Sequence, residues 1–237
     1  ALNRPFKFTT EIYYKYLWDL VPYKIENVRL QYAASNLAQG YAAGVDLKVN
    51  GEFIKGTESW VSLSFMQTRE KSNGNKYLDA AGNTQKLGFY PRPSDNFMHL
   101  SMFLQDYLPN NPSWKIHFMF MFGTGLPVNH PVRGHYEPYY TGNGTPDFYR
   151  LPSYRRVDVG ISKVLKKEDK TLSEKNPLSV FNEIWVTLEV LNLFDINNTV
   201  SYMWLRSVGY QSQNPGWFAV PNYLTPRLFN LKLTFKF

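Results

Sequence analysis

The 237 residues contain no cysteine, which excludes disulfides, thiolate metal sites and a cysteine nucleophile together. No apolar run approaches the roughly 20 residues that a membrane-spanning helix requires. Basic blocks are lacking too. Lys and Arg number 26 against 19 Asp and Glu, for a formal charge of +7, but no block is longer than the pair Lys166, Lys167. Cations scattered in this way do not make the stripe that tracks a nucleic-acid backbone; they fit weak attraction to anionic neighbours. There is no Gly-rich phosphate cradle, nucleophile elbow or His-Glu-x-x-His pair, so the familiar hydrolase and nucleotide chemistries have no signature here. The first residues, Ala-Leu-Asn-Arg-Pro, carry neither a basic start nor an apolar h-region, so any export signal is expected upstream of them.

Aromatics, by contrast, are plentiful. They make up 17% of the chain, with 17 Tyr and 17 Phe, yet the mean hydropathy is only −0.38. Many large apolar groups therefore share a polar chain. A barrel wall produces that mixture, because apolar residues on one face alternate with polar residues on the other along every strand.

The alternation is plainest at the end of the chain. From Phe229 to Phe237 the odd positions are Phe, Leu, Leu, Phe, Phe, and the even ones are Asn230, Lys232, Thr234 and Lys236. Trp114, Ile116, Phe118, Phe120 and Phe122 likewise oppose Lys115, His117, Met119 and Met121. The same period of two predicts eight strands, at about residues 6–18, 41–53, 58–70, 95–107, 114–125, 154–166, 183–194 and 227–237. Each is near the roughly 9–11 residues that carry a tilted strand across a bilayer. The gaps between them alternate long and short, with 167–182 intermediate, as expected of a barrel with short turns on one side and long loops on the other. Aromatic girdles are expected from Trp18, Tyr41, Phe122, Phe194 and Phe229 above and from Trp114, Phe235 and Phe237 below. Trp60 and Trp185 fall on the polar face by parity. A soluble β-sandwich also alternates, but gaps of 20–30 residues are long for a compact one.

Three stretches resemble one family. Leu191-Asn192-Leu193-Phe194-Asp195, followed by Ile196-Asn197-Asn198, resembles the Asn-Leu-Phe-Asp block near the end of TonB-dependent outer-membrane transporters. Tyr154 to Gly160 is similar to the preceding strand of that family, and Thr225-Pro226-Arg227 through Phe237 looks like its final strand with a terminal aromatic. The resemblance implies an all-β transmembrane antiparallel barrel of 22 strands. This chain would supply the last eight. The plug, the remaining strands and the contact with TonB would lie in the missing part of the same protein. It also implies uptake of a scarce solute such as a siderophore, cobalamin, glycan or peptide, a surface lipoprotein as a further partner, and Phe237 as the signal read during barrel assembly. The alternative is a self-contained eight-stranded barrel serving as anchor, adhesin or pore.

Two aromatic clusters in the long gaps are the candidate solute contacts: Tyr136, Tyr139 and Tyr140, beside Phe148 and Tyr149, and then Tyr202, Trp204, Tyr210, Trp217 and Tyr223. Flat rings bury area at low entropic cost, which suits binding; loops packing on one another would use the same residues. His130, His135 and Glu137 offer a metal two imidazoles and a carboxylate, but on an irregular Pro-containing loop they read as exposed loop residues. His99 and His117, like Glu11, Asp46, Asp158 and Glu189, fall on polar strand faces and read as lumen lining. No cofactor is expected, and neither is catalysis. The expected surroundings are outer-membrane lipid and lipopolysaccharide.

Overall fold

The computed structural model describes all residues except 1–5, 27–28, 33, 55–56, 73–75, 79–83, 87, 130–147, 168–175, 207–216, 225 and 237. Eight long strands form one sheet: β1 (Phe6–Leu20), β2 (Ala38–Ile54), β3 (Thr57–Ser72), β4 (Met98–Leu108), β5 (Asn111–Gly123), β6 (Tyr154–Lys166), β7 (Glu183–Leu191) and β8 (Leu228–Lys236). Each pairs antiparallel with the next in chain order, so the sheet is a simple meander. Among the described residues β1 and β8 are not paired with each other, and no closed barrel forms. The described residues therefore form an open sheet of eight long strands, and the 22 strands of the expected complete barrel are not seen.

The register turns alternation within strands into two faces across the sheet. Phe8, Val49, Val61, Met102, Phe120 and Val157 are successive partners from β1 to β6. Leu104, Phe118, Val159, Val190 and Phe229 continue the same face from β4 to β8. On the other face Thr9, Lys48, Ser62, Ser101, Met121 and Arg156 follow one another. A slip of one residue anywhere would transfer a whole strand's apolar side chains to the polar face, so the pattern fixes the pairing.

Burial is inverted relative to a water-soluble domain. Only five apolar side chains among the described residues are buried, Ala38, Tyr90, Leu151, Val164 and Ile184, whereas twelve polar or charged ones are, including Ser101, Asp158 and Thr187. The apolar face is open: Ile12 is 78% exposed, Leu231 67%, Leu188 49% and Phe118 48%. An exposed apolar sheet face of this extent is a surface that normally meets another apolar phase.

The two ends differ. At the lower end β4 and β5 are joined by Pro109 and Asn110, with Asn110 at φ 61°, a backbone conformation that Asn tolerates better than most residues. At the upper end the four long connections, expected as plain loops, each contain a two-stranded ribbon: Tyr23–Glu26 with Arg29–Tyr32, Lys76–Leu78 with Thr84–Lys86, Pro127–Asn129 with Phe148–Arg150, and Thr199–Arg206 with Trp217–Tyr223. Residues 95–97, 124–125 and 192–194, expected within strands, leave the sheet instead. Asn192 does so because its backbone turns left-handed, at φ 53°.

Aromatic rings gather on the apolar face near the upper end. Tyr14 stacks on Tyr41 at 6.2 Å, Tyr16 on Trp18 at 6.2 Å, and Phe89 meets Tyr41 edge-on at 5.5 Å. Tyr16 and Tyr41 donate their hydroxyls to Gln39 and Gln67 at 3.1 and 3.0 Å. Near the lower end Lys163 lies over Trp114, 4.9 Å from the ring centroid. The polar-face tryptophans also have partners: Trp60 stacks on Phe103 at 6.4 Å beneath Lys48, and Trp185 lies 4.5 Å from the Lys115 ammonium.

Candidate functional site

The ribbon Thr199–Arg206 places Tyr202 and Trp204 two residues apart, hence on the same side of a strand. Their ring centroids are 6.1 Å apart. Tyr149, from the neighbouring connection, lies 6.4 Å from Tyr202 and completes a row of three rings. Burial raises the Tyr149 phenol to about 12, with the Tyr202 hydroxyl adding to the effect. It stays a neutral donor at any physiological pH.

Tyr223 is 54% exposed at the far end of the ribbon, where it pairs with Thr199. Trp217 pairs with Arg206 at the other end. Tyr136, Tyr139, Tyr140 and Tyr210 lie outside the described residues, as do Phe237, His130, His135 and Glu137. Tyr149 was legible only as part of an aromatic-rich loop, because its partner is 53 positions away in sequence.

Next to Tyr149 in sequence, the partly exposed Arg150 pairs with the buried Asp95. Asp95, 2% exposed, accepts the Thr68 backbone N–H at 2.6 Å and pairs with Arg150 at 2.5 Å. Arg150 also donates to the Asp95 carbonyl at 2.6 Å and to the Gly125 carbonyl at 2.9 Å. One guanidinium thus ties together the β3–β4 connection, the exit of β5 and the entry to β6. A Cβ on Gly125 would stand 1.6 Å from the Leu151 carbonyl oxygen, so this crossing requires glycine.

Below it, Asn96, His99, Thr124, Leu151, Tyr154 and Val200 are among the residues lining a cavity of about 240 Å³. Thr124 fixes Asn96 through a 2.9 Å bond to its side-chain oxygen. Complete small-molecule pockets run to about 300–1,000 Å³, so this cavity is smaller than a whole small-molecule site.

The Asn-Leu-Phe-Asp block forms a buckle over β6, β7 and β8. Asn192, 2% exposed, donates its backbone N–H to Asp158 Oδ1 at 2.8 Å and closes a ring with Ile196 through bonds of 3.1 and 3.0 Å. Asn198 clasps both backbone groups of Arg155, at 2.8 and 2.9 Å. Asp195 accepts the Arg227 N–H at 2.9 Å, immediately before β8.

The polar-face acids are engaged structurally. Asp158 accepts from Arg156 Nε at 2.7 Å, and Glu189 accepts from Asn230 at 2.8 Å and lies 3.6 Å from His117. Glu11 and Asp46 are register partners. Ser101 and His99 approach to 3.5 Å, longer than the roughly 2.6–3.2 Å of a hydroxyl activated by a base. Among the described residues, no group of three His, Asp or Glu side chains is placed to hold a metal. The arrangement offers aromatic surface, hydrogen-bonding groups and a fixed frame, which are the means of binding.

Comparison with known proteins gives no matching family model, no matching curated protein and no matching solved structure.

Proposed function

We propose that this chain forms the closing portion of the wall of a TonB-dependent transporter in the bacterial outer membrane, and that the protein takes up a scarce solute. The observation that carries this reading is the inverted burial: the sheet leaves large apolar side chains such as Ile12, Phe118, Leu188 and Leu231 open while Ser101, Asp158 and Thr187 on its other face are buried. In hydrocarbon that orientation is favourable, and strand-to-strand pairing satisfies the backbone groups that lipid leaves without partners.

Dimensions support it. On the apolar face of β6, Val157, Val159 and Ile161 lie between Arg155 and Lys163, eight residues apart. At ~3.4 Å per residue that is about 27 Å along the strand. A tilt of ~40° reduces it to ~21 Å, close to the ~25 Å apolar band of outer-membrane barrels. The edges of β1 and β8 need partners, since an unpaired edge is not tolerated in lipid. Further strands of the same protein meet that need, and this favours the large barrel over a self-contained one.

In this reading the polar face lines the lumen against a plug, and the ribbons of the upper end face outward. The row Tyr149, Tyr202, Trp204 and the cavity beside it give solute its first contacts. Energy for release comes through the part of the protein that meets TonB. Lipopolysaccharide surrounds the upper rim, and a surface lipoprotein is a further partner.

The test is genetic and energetic. A strain lacking the protein is supplied with one limiting solute at a time, drawn from iron chelates, cobalamin, oligosaccharides and peptides. Loss of growth on one of them, together with uptake that stops when a protonophore collapses the inner-membrane gradient, is the expected result. Recovery of the protein in the soluble fraction, or uptake indifferent to the protonophore, overturns the reading.

A further inference from the structure

The lower end carries an element that a plain turn between strands does not need. The connection from β6 to β7 includes a single 3₁₀ turn, Pro177–Val180, capped by Asn176, whose side chain accepts the Leu178 N–H at 3.0 Å. A bulge at the end of β6 puts Lys166 opposite Ile184, on the apolar face. There its ammonium, 8% exposed as a residue, donates to the carbonyls of Leu178, Ser179 and Phe181 at 3.3, 3.1 and 2.5 Å. All three ammonium protons are used, and the turn is held against the sheet.

The side of the sheet it is held against is decisive. Phe181 meets Phe235 at 4.8 Å, and Ile184 is reduced to 5% exposure, so the segment folds back over the apolar face. Between segment and sheet lies a half-open cavity of about 410 Å³, walled mainly by Leu165, Leu178, Ile184, Leu233 and Phe235, with Lys166 and Asn176 as its two polar lining residues. Yet the turn does not hide its own apolar groups. Leu178 remains 42% exposed and Val180 67%. A turn serving only to reverse the chain in water would place polar residues there.

We infer that this turn is a membrane foot: Leu178 and Val180 enter the leaflet facing the periplasm, and the cavity behind them takes a phospholipid acyl chain. The inference rests on the membrane reading given above. Its occupant is fixed by continuity, since the cavity walls are the lower edge of the same apolar face that β6, β7 and β8 present to lipid. Charge agrees as well. Lys163 on β6 sits over Trp114, the amphipathic pairing of a headgroup level, and cations there suit anionic phospholipid. Lys166 gives the foot its rigidity, because one ammonium binds three carbonyls of the segment, and those bonds offset part of the cost of holding a cation at the edge of the hydrocarbon.

These 237 residues carry no cysteine that would compete for label, and any thiol elsewhere in the whole protein is first changed to serine. Val180→Cys and, separately, Leu231→Cys are introduced into the whole protein, labelled with a small fluorophore, and reconstituted into phosphatidylcholine–phosphatidylglycerol vesicles with or without lipids bearing a nitroxide near the top of the acyl chain. Both labels are expected to lose about half their emission in the nitroxide vesicles, as groups at or below the acyl boundary do. Combining Lys166→Met with Val180→Cys is expected to restore most of that emission, because the turn is then released from the sheet. Quenching at position 231 but not at 180 overturns the foot and leaves the membrane reading standing. Unchanged quenching in the Lys166→Met background overturns the role given to the clamp. No quenching at either position overturns both readings.

Discussion

Asp95 shows how much of the upper end depends on single side chains. Asp95→Ala strands the Thr68 N–H and removes one partner of Arg150, which keeps its two carbonyl bonds and is itself partly exposed. A loss of about 2–3 kcal/mol is expected, below the ~3–5 kcal/mol of breaking a fully buried pair, and the urea midpoint of the protein folded in vesicles measures it. Glycines on the polar face separate two costs. A Cβ at Gly44 meets the Tyr13 hydroxyl at 2.4 Å and the Phe65 carbonyl at 2.6 Å, whereas the nearest atoms to one at Gly160 are all of the His117 ring, from 2.1 Å. Because an imidazole can swing away and a strand carbonyl cannot, Gly44→Ala is expected to destabilise more than Gly160→Ala in the same assay. Tyr149 brings a pH effect. Its raised value means that the folded state holds the proton longer than the unfolded state. The associated stability is fully present below about 10, the ordinary tyrosine value, and is lost as pH rises toward 12. Tyr149→Phe should flatten that part of the stability profile.

At the scale of elements, β8 provides the sharpest test of which phase each face meets. Leu231 and Lys232 are neighbours on opposite faces, partnered with Leu188 and Thr187. In a bilayer, Leu231→Arg is expected to cost about 2–4 kcal/mol and Lys232→Leu close to nothing. Equal and small effects on folding into vesicles would place the apolar face outside the membrane. The same strands show what could be read early. Phe229 to Phe237 announces a two-faced strand because the period of two is a local property of the backbone. The ribbons above went unread, since Tyr23–Glu26 and Lys76–Leu78 are too short for a period to appear and gain their partners only through pairing. The ends of β4 and β7 were displaced for a related reason. Asp95 and Asn192 leave the sheet to bond with Arg150 and Ile196, and those contacts cannot be seen along a strand.

For the whole molecule, the eight-stranded meander leaves β1 and β8 as unpaired edges among the described residues; under the membrane proposal, lipid does not tolerate such edges and stability is tied to whatever pairs with them. The solute strand of the proposal is tested at this scale too. Tyr202→Ala combined with Trp204→Ala is expected to raise the concentration of limiting solute needed for half-maximal growth by about tenfold, as removal of anchoring rings commonly does. Surface amounts of the protein, followed by antibody, should stay unchanged. A growth curve identical to that of the parent would move solute recognition away from the ribbon.

The number of long strands and the division of each into two faces come from residue order, because side chains alternate by geometry alone and each long strand's polarity is written in consecutive residues. The absence of cysteine and the aromatic excess belong to the same level. Pairing decided the rest. It brought Tyr149 against Tyr202, closed Asp95 on Arg150, and laid the Pro177–Val180 turn over Phe235. Those contacts join residues far apart in the chain, and only the register of the sheet brings them within reach.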